Sequence, residues 1–169
     1  MKKIILILAL IICSSLEGNA QTFEIPKDYT FKVIEDFAKY EKDILPCIYW
    51  LESTPINADT LKRFAAENFF LQWVMGTPNL SLSMNAEFIS QYIKNNPEFF
   101  TLFLAGWAKY SLEHKYSKDP IKGHYEGLKS IINVYRKGLS VKNNEEMDKL
   151  VKVFDAGGLE QLVRNSIKQ

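Results

Sequence analysis

Cysteine and histidine are scarce in this chain, with two of each among 169 residues. So few cysteines exclude the disulfide framework of a small secreted scaffold and the thiolate sets that hold structural zinc. Cys13 lies in an N-terminal apolar stretch, so Cys47 is the only thiol in the rest of the chain. We expect Cys47 to be buried as a small hydrophobic residue, with an intermolecular disulfide as the alternative.

The signatures of common enzyme classes are also missing. The sequence has no glycine-rich phosphate loop, no Gly-x-Ser-x-Gly elbow, no His-Glu-x-x-His, no Cys-x-x-Cys and no Glu-x-x-His pair. His124 and Glu126 form the His-x-Glu of zinc deaminases, but the Pro-Cys-x-x-Cys that completes that signature is absent. The motifs therefore predict no catalytic residue and imply no cofactor.

Charge of one sign is not in excess, since 21 Lys and Arg stand against 20 Asp and Glu. No cluster of Lys or Arg appears anywhere in the chain. A nucleic-acid partner requires a basic face that neutralises phosphates, so this class of function is disfavoured.

A membrane-spanning segment is not predicted, because no apolar run reaches the roughly 20 residues that a bilayer crossing needs. The N-terminus instead has Lys2 and Lys3, an apolar run over residues 4–12, and the small-residue pattern of residues 18–20. These are the parts of a secretory signal peptide, which we assign to residues 1–20. Acylation at Cys13 is the alternative, disfavoured because the large Ile12 precedes it. The protein is thus expected to be exported, periplasmic or secreted, and to begin at Gln21.

The exported chain is long enough for one domain with its own core. We divide it into an extended lead-in, residues 21–28, and a single helical domain, residues 29–169. The centre of that domain is predicted at residues 97–113, where Asn96 caps a helix and Pro97 occupies its first position. From residue 99 to residue 108 every residue except Thr101 is apolar, which predicts a helix covered on all sides.

The remaining helices follow from helical spacing of apolar residues and from their end signals. Asp28 or Thr30 is expected to cap the first helix, with a kink or break before Pro46. Four further cap and stop signals divide the rest, with caps at Asp59 or Asn57, Asn85, Asp119 and Asn144. The fold class is therefore all-α, a single-domain bundle of six or seven helices around a buried central helix.

Two features of this bundle are predicted more specifically. Gly123 and Gly127 lie one turn apart and are expected to let their helix approach the central helix closely. Residues 80–84 alternate between apolar and polar side chains, but no second strand is predicted, so they are interpreted as an extended connector. A similarity between residues 69–76 and 99–106 indicates either two helical repeats or two independent buried helices.

Two groups of residues are candidates for a site. The first is aromatic, since Trp107 and Tyr110 are expected on one side of the central helix, where the helix changes from apolar to amphipathic. Lys109 lies beside them in the sequence, and Trp50 is a further candidate for the rim. Such residues can line a binding surface, although the preferred interpretation is that they belong to the core and its rim. The second group is His114 and His124, which two helix ends could bring together with nearby carboxylates to hold zinc.

The chain resembles a family of small exported bacterial proteins that are helical domains without an assigned activity. The residues that carry the resemblance are Trp50-Leu51-Glu52 with Thr54-Pro55, Trp73 with Gly76 and Pro78, Asn96-Pro97-Glu98, Gly106-Trp107 with Lys109-Tyr110, and Lys122-Gly123 through Tyr135 and Gly138. The resemblance covers most of the exported chain. It implies a helical fold and brings no active site.

Two classes of function remain. The preferred one is a non-catalytic exported binding or interaction module for a peptide, a protein or a small apolar ligand. The alternative is a hydrolase or metal-dependent enzyme that uses His114, His124 and nearby carboxylates.

Overall fold

The computed structural model of the protein describes residues 23–167. The predicted signal peptide lies outside the described residues, and so do Gln21 and Thr22. The described chain forms seven helices and no strand, which confirms the predicted all-α bundle. The helices are α1 Ile34–Ser53, α2 Thr60–Gly76, α3 Ala86–Ile93, α4 Phe99–Glu113, α5 Pro120–Lys137, α6 Glu145–Asp155 and α7 Leu159–Ser166.

Helix α4 is the centre of the bundle, as predicted. Its buried residues lie on every side of the helix: Phe99, Thr101, Leu102, Phe103, Leu104, Ala105, Gly106, Trp107, Ala108 and Ser111. Helix α5 makes the most extensive contact with it, and α1, α2 and α3 cover the remaining sides. A helix without a solvent face has to be enclosed in this way, because each exposed apolar residue would cost hydration free energy.

The close approach of α4 and α5 depends on glycines in both helices. A Cβ atom at Gly106 would collide with the backbone oxygen of Glu126, and a Cβ atom at Gly123 would collide with the indole of Trp107. The ring of Phe103 occupies the corresponding space at Gly127. The predicted role of Gly123 and Gly127 is therefore confirmed.

The start of α4 differs from the prediction, because the helix begins at Phe99 and Asn96 does not cap it with its side chain. The Asn96 side chain instead donates from Nδ2 to the carbonyl of Lys142, at 2.8 Å, and accepts at Oδ1 from the N–H of Lys142, at 2.6 Å. One residue of the loop before α6 thus satisfies both the donor and the acceptor of the amide. This pairing competes with a helix cap and ties two distant loops together.

The other predicted caps are local and are confirmed. The side chains of Asp59, Asn85, Asp119 and Asn144 each accept a hydrogen bond from a backbone N–H in the first turn of the following helix. Asn144 also donates from Nδ2 to the carbonyl of Tyr92 at the end of α3. A single amide therefore joins the end of one helix to the start of another.

Helix α1 starts later than predicted and is not broken. It begins at Ile34, and neither Asp28 nor Thr30 caps it; the Asp36 carboxylate reaches back to the N–H groups of Lys32, at 2.8 Å, and Val33, at 3.2 Å. These bonds to the charged carboxylate lower the pKa of Asp36. The helix continues through Pro46, so the loss of one backbone hydrogen bond there does not end it.

The segment before α1 packs along α2. Phe23 is buried, and the rings of Phe23, Tyr29 and Phe31 lie around Phe69 at centroid distances of 6.3, 4.9 and 5.8 Å. This lead-in covers one flank of α2. No helix in residues 23–167 combines the length and the apolar character that a membrane crossing requires.

Candidate functional site

The structure places the predicted aromatic residues mainly in the core. Trp107 is 1% exposed and Trp50 is 8% exposed, with the Lys62 ammonium 5.3 Å from the centre of the Trp50 ring. Tyr110 is half-buried and stacks on the exposed ring of His114 at 4.2 Å. Trp107 and Trp50 thus present no open ring to a partner, and Tyr110 is the most accessible of the three.

Lys109 is held in an ion pair that joins three helices. Its Nζ lies 2.7 Å from Oε2 of Glu52 on α1, and Oε1 of the same carboxylate accepts from the Ser130 hydroxyl on α5 at 2.7 Å. The Lys109 and Glu52 side chains are only 22% and 17% exposed. Both charges are therefore neutralised within the fold, and Lys109 acts as a link between helices.

His124 lies in an aromatic enclosure with both ring nitrogens engaged. Its Nδ1 bonds to the Pro120 carbonyl, at 2.7 Å, and its Nε2 accepts from the N–H of Asn85, at 3.1 Å. A carbonyl can only accept, so the proton resides on Nδ1 and the ring is neutral. The centre of the Trp107 ring lies 4.7 Å from the centre of the His124 ring, and burial lowers the pKa of His124.

These contacts do not favour the zinc hypothesis. His124 has no free nitrogen for a metal, whereas His114 is exposed and bonds through Nδ1 to the carbonyl of Tyr110. Within residues 23–167 no three His, Cys, Asp or Glu side chains are grouped so as to hold a metal ion. The geometry therefore shows no set of ligands around either histidine.

Cys47 is fully buried, and its Sγ lies 3.5 Å from the carbonyl of Ala66. Burial raises the pKa of the thiol, which suppresses the reactive thiolate. Cys47 is therefore a core residue, as expected, and its position does not suit a disulfide with another chain.

An apolar concavity lies elsewhere, at the C-terminal end of α2. It is a groove of about 400 Å³, which we call the α2–α4 groove. Its walls are Val74 and Met75 of α2, Thr77, Leu80, Leu82 and Met84 of the connector, and Phe100 and Leu104 of α4. A volume of this size matches the lower range of ligand sites, or a few apolar side chains of a partner.

The connector that forms one wall of this groove belongs to no helix, and its side chains alternate in exposure. Leu80, Leu82 and Met84 are half-buried and face the groove, whereas Ser81 and Ser83 are exposed. No hydrogen bond within the described residues involves the backbone N–H or C=O groups of residues 80–84. The connector therefore has the side-chain alternation of a strand and backbone groups without a partner among the described residues.

The lining of the groove carries no charged side chain. Residues 68–86, which include the second half of α2 and the whole connector, contain no Asp, Glu, Lys or Arg. A charged group brought here would lose hydration without gaining a partner. The groove thus selects for an uncharged, apolar occupant.

Two larger clefts, of about 570 and 830 Å³, lie beside α3 and are lined mainly by polar side chains. Their amides are already used by the fold, since Asn85 donates to the carbonyl of Ser166 and Asn144 donates to the carbonyl of Tyr92. These two amides are therefore committed to the fold.

Comparison with known proteins gives no relative from which a function could be transferred: no family model, no curated protein and no solved structure matches this chain. The resemblance to exported helical proteins therefore stays a prediction.

The groove was not among the sites predicted from the sequence. Its signal was present in the alternation of residues 80–84, but that segment was interpreted as a connector without a partner. Recognising the site requires knowing that Phe100 of α4 lies opposite this segment, which is a tertiary contact between distant parts of the chain.

Proposed function

We propose that this protein is a non-catalytic exported interaction module that binds an extended, apolar segment of a partner protein in the α2–α4 groove. The observation that carries the proposal is the connector along the rim of this apolar groove, whose side chains alternate like those of a strand and whose backbone groups have no partner among the described residues. The groove supplies contacts for side chains, and the connector supplies backbone donors and acceptors.

Such an arrangement fits recognition by strand addition. An added peptide strand forms main-chain hydrogen bonds with an exposed edge, and its alternate side chains enter adjacent pockets. Here the backbone of residues 80–84 would pair with the incoming segment, while its apolar side chains would contact Leu82 and Phe100. A backbone group that is unpaired in the free protein gains a partner on binding, which favours the extended form of the ligand.

The enzyme alternative has weaker support. His124 uses both ring nitrogens within the fold, and Lys109 is neutralised by Glu52. A general base or a metal ligand needs an accessible lone pair, and His124 offers none in this geometry.

The proposal is tested with synthetic extended peptides of alternating valine and threonine, compared with peptides of the same length in which glutamate replaces valine. The readout is the amide chemical-shift change of residues 80–84 in NMR titrations. We expect the apolar peptides to shift these amides and the acidic peptides to leave them unchanged.

Two matched variants separate the groove from the outer side of the connector. Leu82→Asp places a charge in the groove and should abolish binding, whereas Ser83→Asp places the same charge on the exposed side and should retain it. Equal loss in both variants would contradict the groove as the site. Binding of a small apolar fluorophore to the groove with no response to any peptide would instead support a small-ligand carrier.

A further inference from the structure

Helix α2 carries a second apolar face that points to solvent. The face consists of Leu61, Phe64, Asn68, Leu71 and Met75, which we call the α2 seam. Leu61, Phe64 and Met75 are 84%, 72% and 83% exposed, and Leu71 is half-buried. The buried residues of the same helix, such as Phe69 and Trp73, lie on its other side.

The seam has the spacing of a helix–helix interface. Its members follow one another at intervals of three, four, three and four residues. This is the a/d spacing at which two helices interlock their side chains, and it runs along all of α2, a length of about 26 Å. Single exposed apolar residues are common, but an exposed row at this spacing marks a surface for another helix.

The seam is also electrically compatible with a copy of itself. None of its five residues is charged, and Ala65 and Gln72 on its border are uncharged as well. Glu67 on the other border is half-buried, and its carboxylate lies 3.3 Å from Nε of Arg63. Two identical surfaces can therefore approach without repulsion between like charges.

We propose that the α2 seam is the interface of a homodimer in which α2 of one protomer packs against α2 of a second copy about a twofold axis. A twofold interface requires a patch that is complementary to itself, which a neutral apolar row satisfies. Asn68 is the middle residue of the seam, so it meets its own copy whether the helices run parallel or antiparallel. Two facing amides can pair, and a single polar residue of this kind fixes the register of paired helices.

A membrane is a poorer occupant of this face. Helices that lie on lipid carry Lys or Arg beside their apolar face, where they meet anionic headgroups. In α2 the basic residues are Lys62 and Arg63, and Arg63 is buried with its guanidinium bonded to the carbonyl of Leu51, at 3.1 Å. The helix therefore has no basic border of the kind that lipid binding uses.

The size of the seam indicates a reversible dimer. Large apolar side chains such as Phe64 bury on the order of 150–250 Å² each when covered. Leu61, Phe64 and Met75 together supply roughly half of the ~800 Å² that each partner contributes to a standard interface. We therefore expect association that depends on protein concentration.

The test is sedimentation velocity of the purified chain over a wide range of concentration, for wild type, Phe64→Asp and Ile34→Asp. Phe64→Asp places a charge in the seam, and Ile34→Asp places the same charge at an equally exposed apolar residue of α1 outside it. We expect wild type and Ile34→Asp to dimerise at least tenfold more tightly than Phe64→Asp. Both substituted residues are exposed, so both variants are expected to fold.

A cross-link tests the geometry. In a Cys13→Ser background, where the remaining native thiol of Cys47 is buried, Asn68→Cys should form a disulfide-linked dimer under mild oxidation, and Lys149→Cys on α6 should not. A wild-type protein that stays monomeric at all concentrations would overturn the proposal. So would a dimer that survives Phe64→Asp, or binding to neutral lipid vesicles that Phe64→Asp abolishes. Met75 belongs to both the seam and the groove, but Phe64 lies outside the groove and Leu82 lies outside the seam. Peptide binding is measured with Leu82→Asp and dimerisation with Phe64→Asp, so either proposal can fail without the other.

Discussion

The indole of Trp107 lies in the space that Gly123 leaves on α5, and its ring also contacts His124. A large side chain on one helix is therefore matched to a missing side chain on the other. The match sets the distance between α4 and α5, because neither a smaller ring nor a larger residue at Gly123 would preserve the contact. Packing of this kind is sensitive to changes of a single methyl group.

Trp107→Ala is expected to destabilise the fold by roughly 3–5 kcal/mol, because it removes a buried aromatic ring and leaves a cavity. Urea unfolding measures the loss. A loss below about 1 kcal/mol for Trp107→Ala would mean that the ring is exposed in solution.

Gly123→Ala adds one methyl group against the indole and should lower the free energy of unfolding by about 1–3 kcal/mol. The loss should be smaller in a Trp107→Phe background, because the smaller ring provides room for the added methyl group.

His124 makes stability depend on pH. Burial among Phe88, Phe103 and Trp107 lowers the pKa of the ring. The charged residues nearest in sequence to these contacts are Asp119, which caps α5, Lys122 on α5 and Glu87 on α3. Protonation would also place a second N–H opposite the N–H of Asn85 and break that bond. The unfolded chain thus accepts a proton at His124 that the folded chain resists.

The free energy of unfolding should therefore fall as pH decreases below about 6.5, the ordinary pKa of histidine in an unfolded chain. The expected signature is a urea midpoint that declines between pH 7.5 and pH 5.5. His124→Gln removes the titrating group and should flatten this decline, although it lowers stability at neutral pH. His114→Gln, which changes an exposed ring, should behave as wild type; an equal effect of both variants would contradict the assignment.

At the level of helices, the ion pair between Glu52 and Lys109 joins α1 to α4, and the Ser130 hydroxyl extends it to α5. Each charge is largely removed from water, so the pair is stable only while both partners are present. Removing one partner leaves the other charge partly buried and unpaired, which is more costly than removing both.

Lys109→Met is expected to destabilise the fold by about 1–3 kcal/mol, because it leaves the Glu52 carboxylate without its cation. Glu52→Gln in the same chain should recover part of that loss, since a neutral amide can still accept from Ser130. The control is Lys149→Met on α6, whose exposed pair with Glu146 should contribute nothing measurable. Urea unfolding of wild type, Lys109→Met, Glu52→Gln and the double variant forms a cycle that gives the coupling free energy between Lys109 and Glu52 directly.

The accuracy of the sequence predictions follows the distance between interacting residues. The caps at Asp59, Asn85, Asp119 and Asn144 were predictable, because each side chain bonds to a residue at most three positions ahead. The role of Asn96 was not, because its partner Lys142 lies in a distant loop. The sequence left open whether Pro46 breaks α1 or only kinks it, and the unbroken helix places Cys47 and Ile48, both fully buried, in the core.

The candidate site was less predictable than the fold for the same reason. Aromatic residues at the edge of an apolar helix indicate either core or rim, and only tertiary packing decides that Trp107 is covered by α5. The α2–α4 groove combines Met75, Leu82 and Phe100 from three segments, and no local pattern joins them. The α2 seam does follow from local spacing, but its exposure becomes apparent only when the buried side of α2 is known.

At the level of the whole molecule, the lead-in is part of the folded domain. Phe23 is 3% exposed and contacts Phe69, so the domain extends at least to this residue. Glu24 pairs with Lys62 at 3.3 Å, but this pair is exposed on the Glu24 side and adds little. The predicted cleavage after Ala20 would keep Phe23 in the exported protein.

A chain that begins at Gln21 is therefore expected to be as stable as one that begins at Phe23. A chain that begins at Lys27 should be about 2–5 kcal/mol less stable, because it loses the buried ring of Phe23 and exposes part of Phe69. Phe23→Ala in the chain from Gln21 should reproduce most of that loss, which separates the ring from the backbone that carries it. Urea unfolding gives the stabilities, and mass spectrometry of the exported protein gives its first residue. An exported protein that starts beyond Phe23, or a chain from Lys27 that is as stable as the longer ones, would show that the lead-in does not belong to the core.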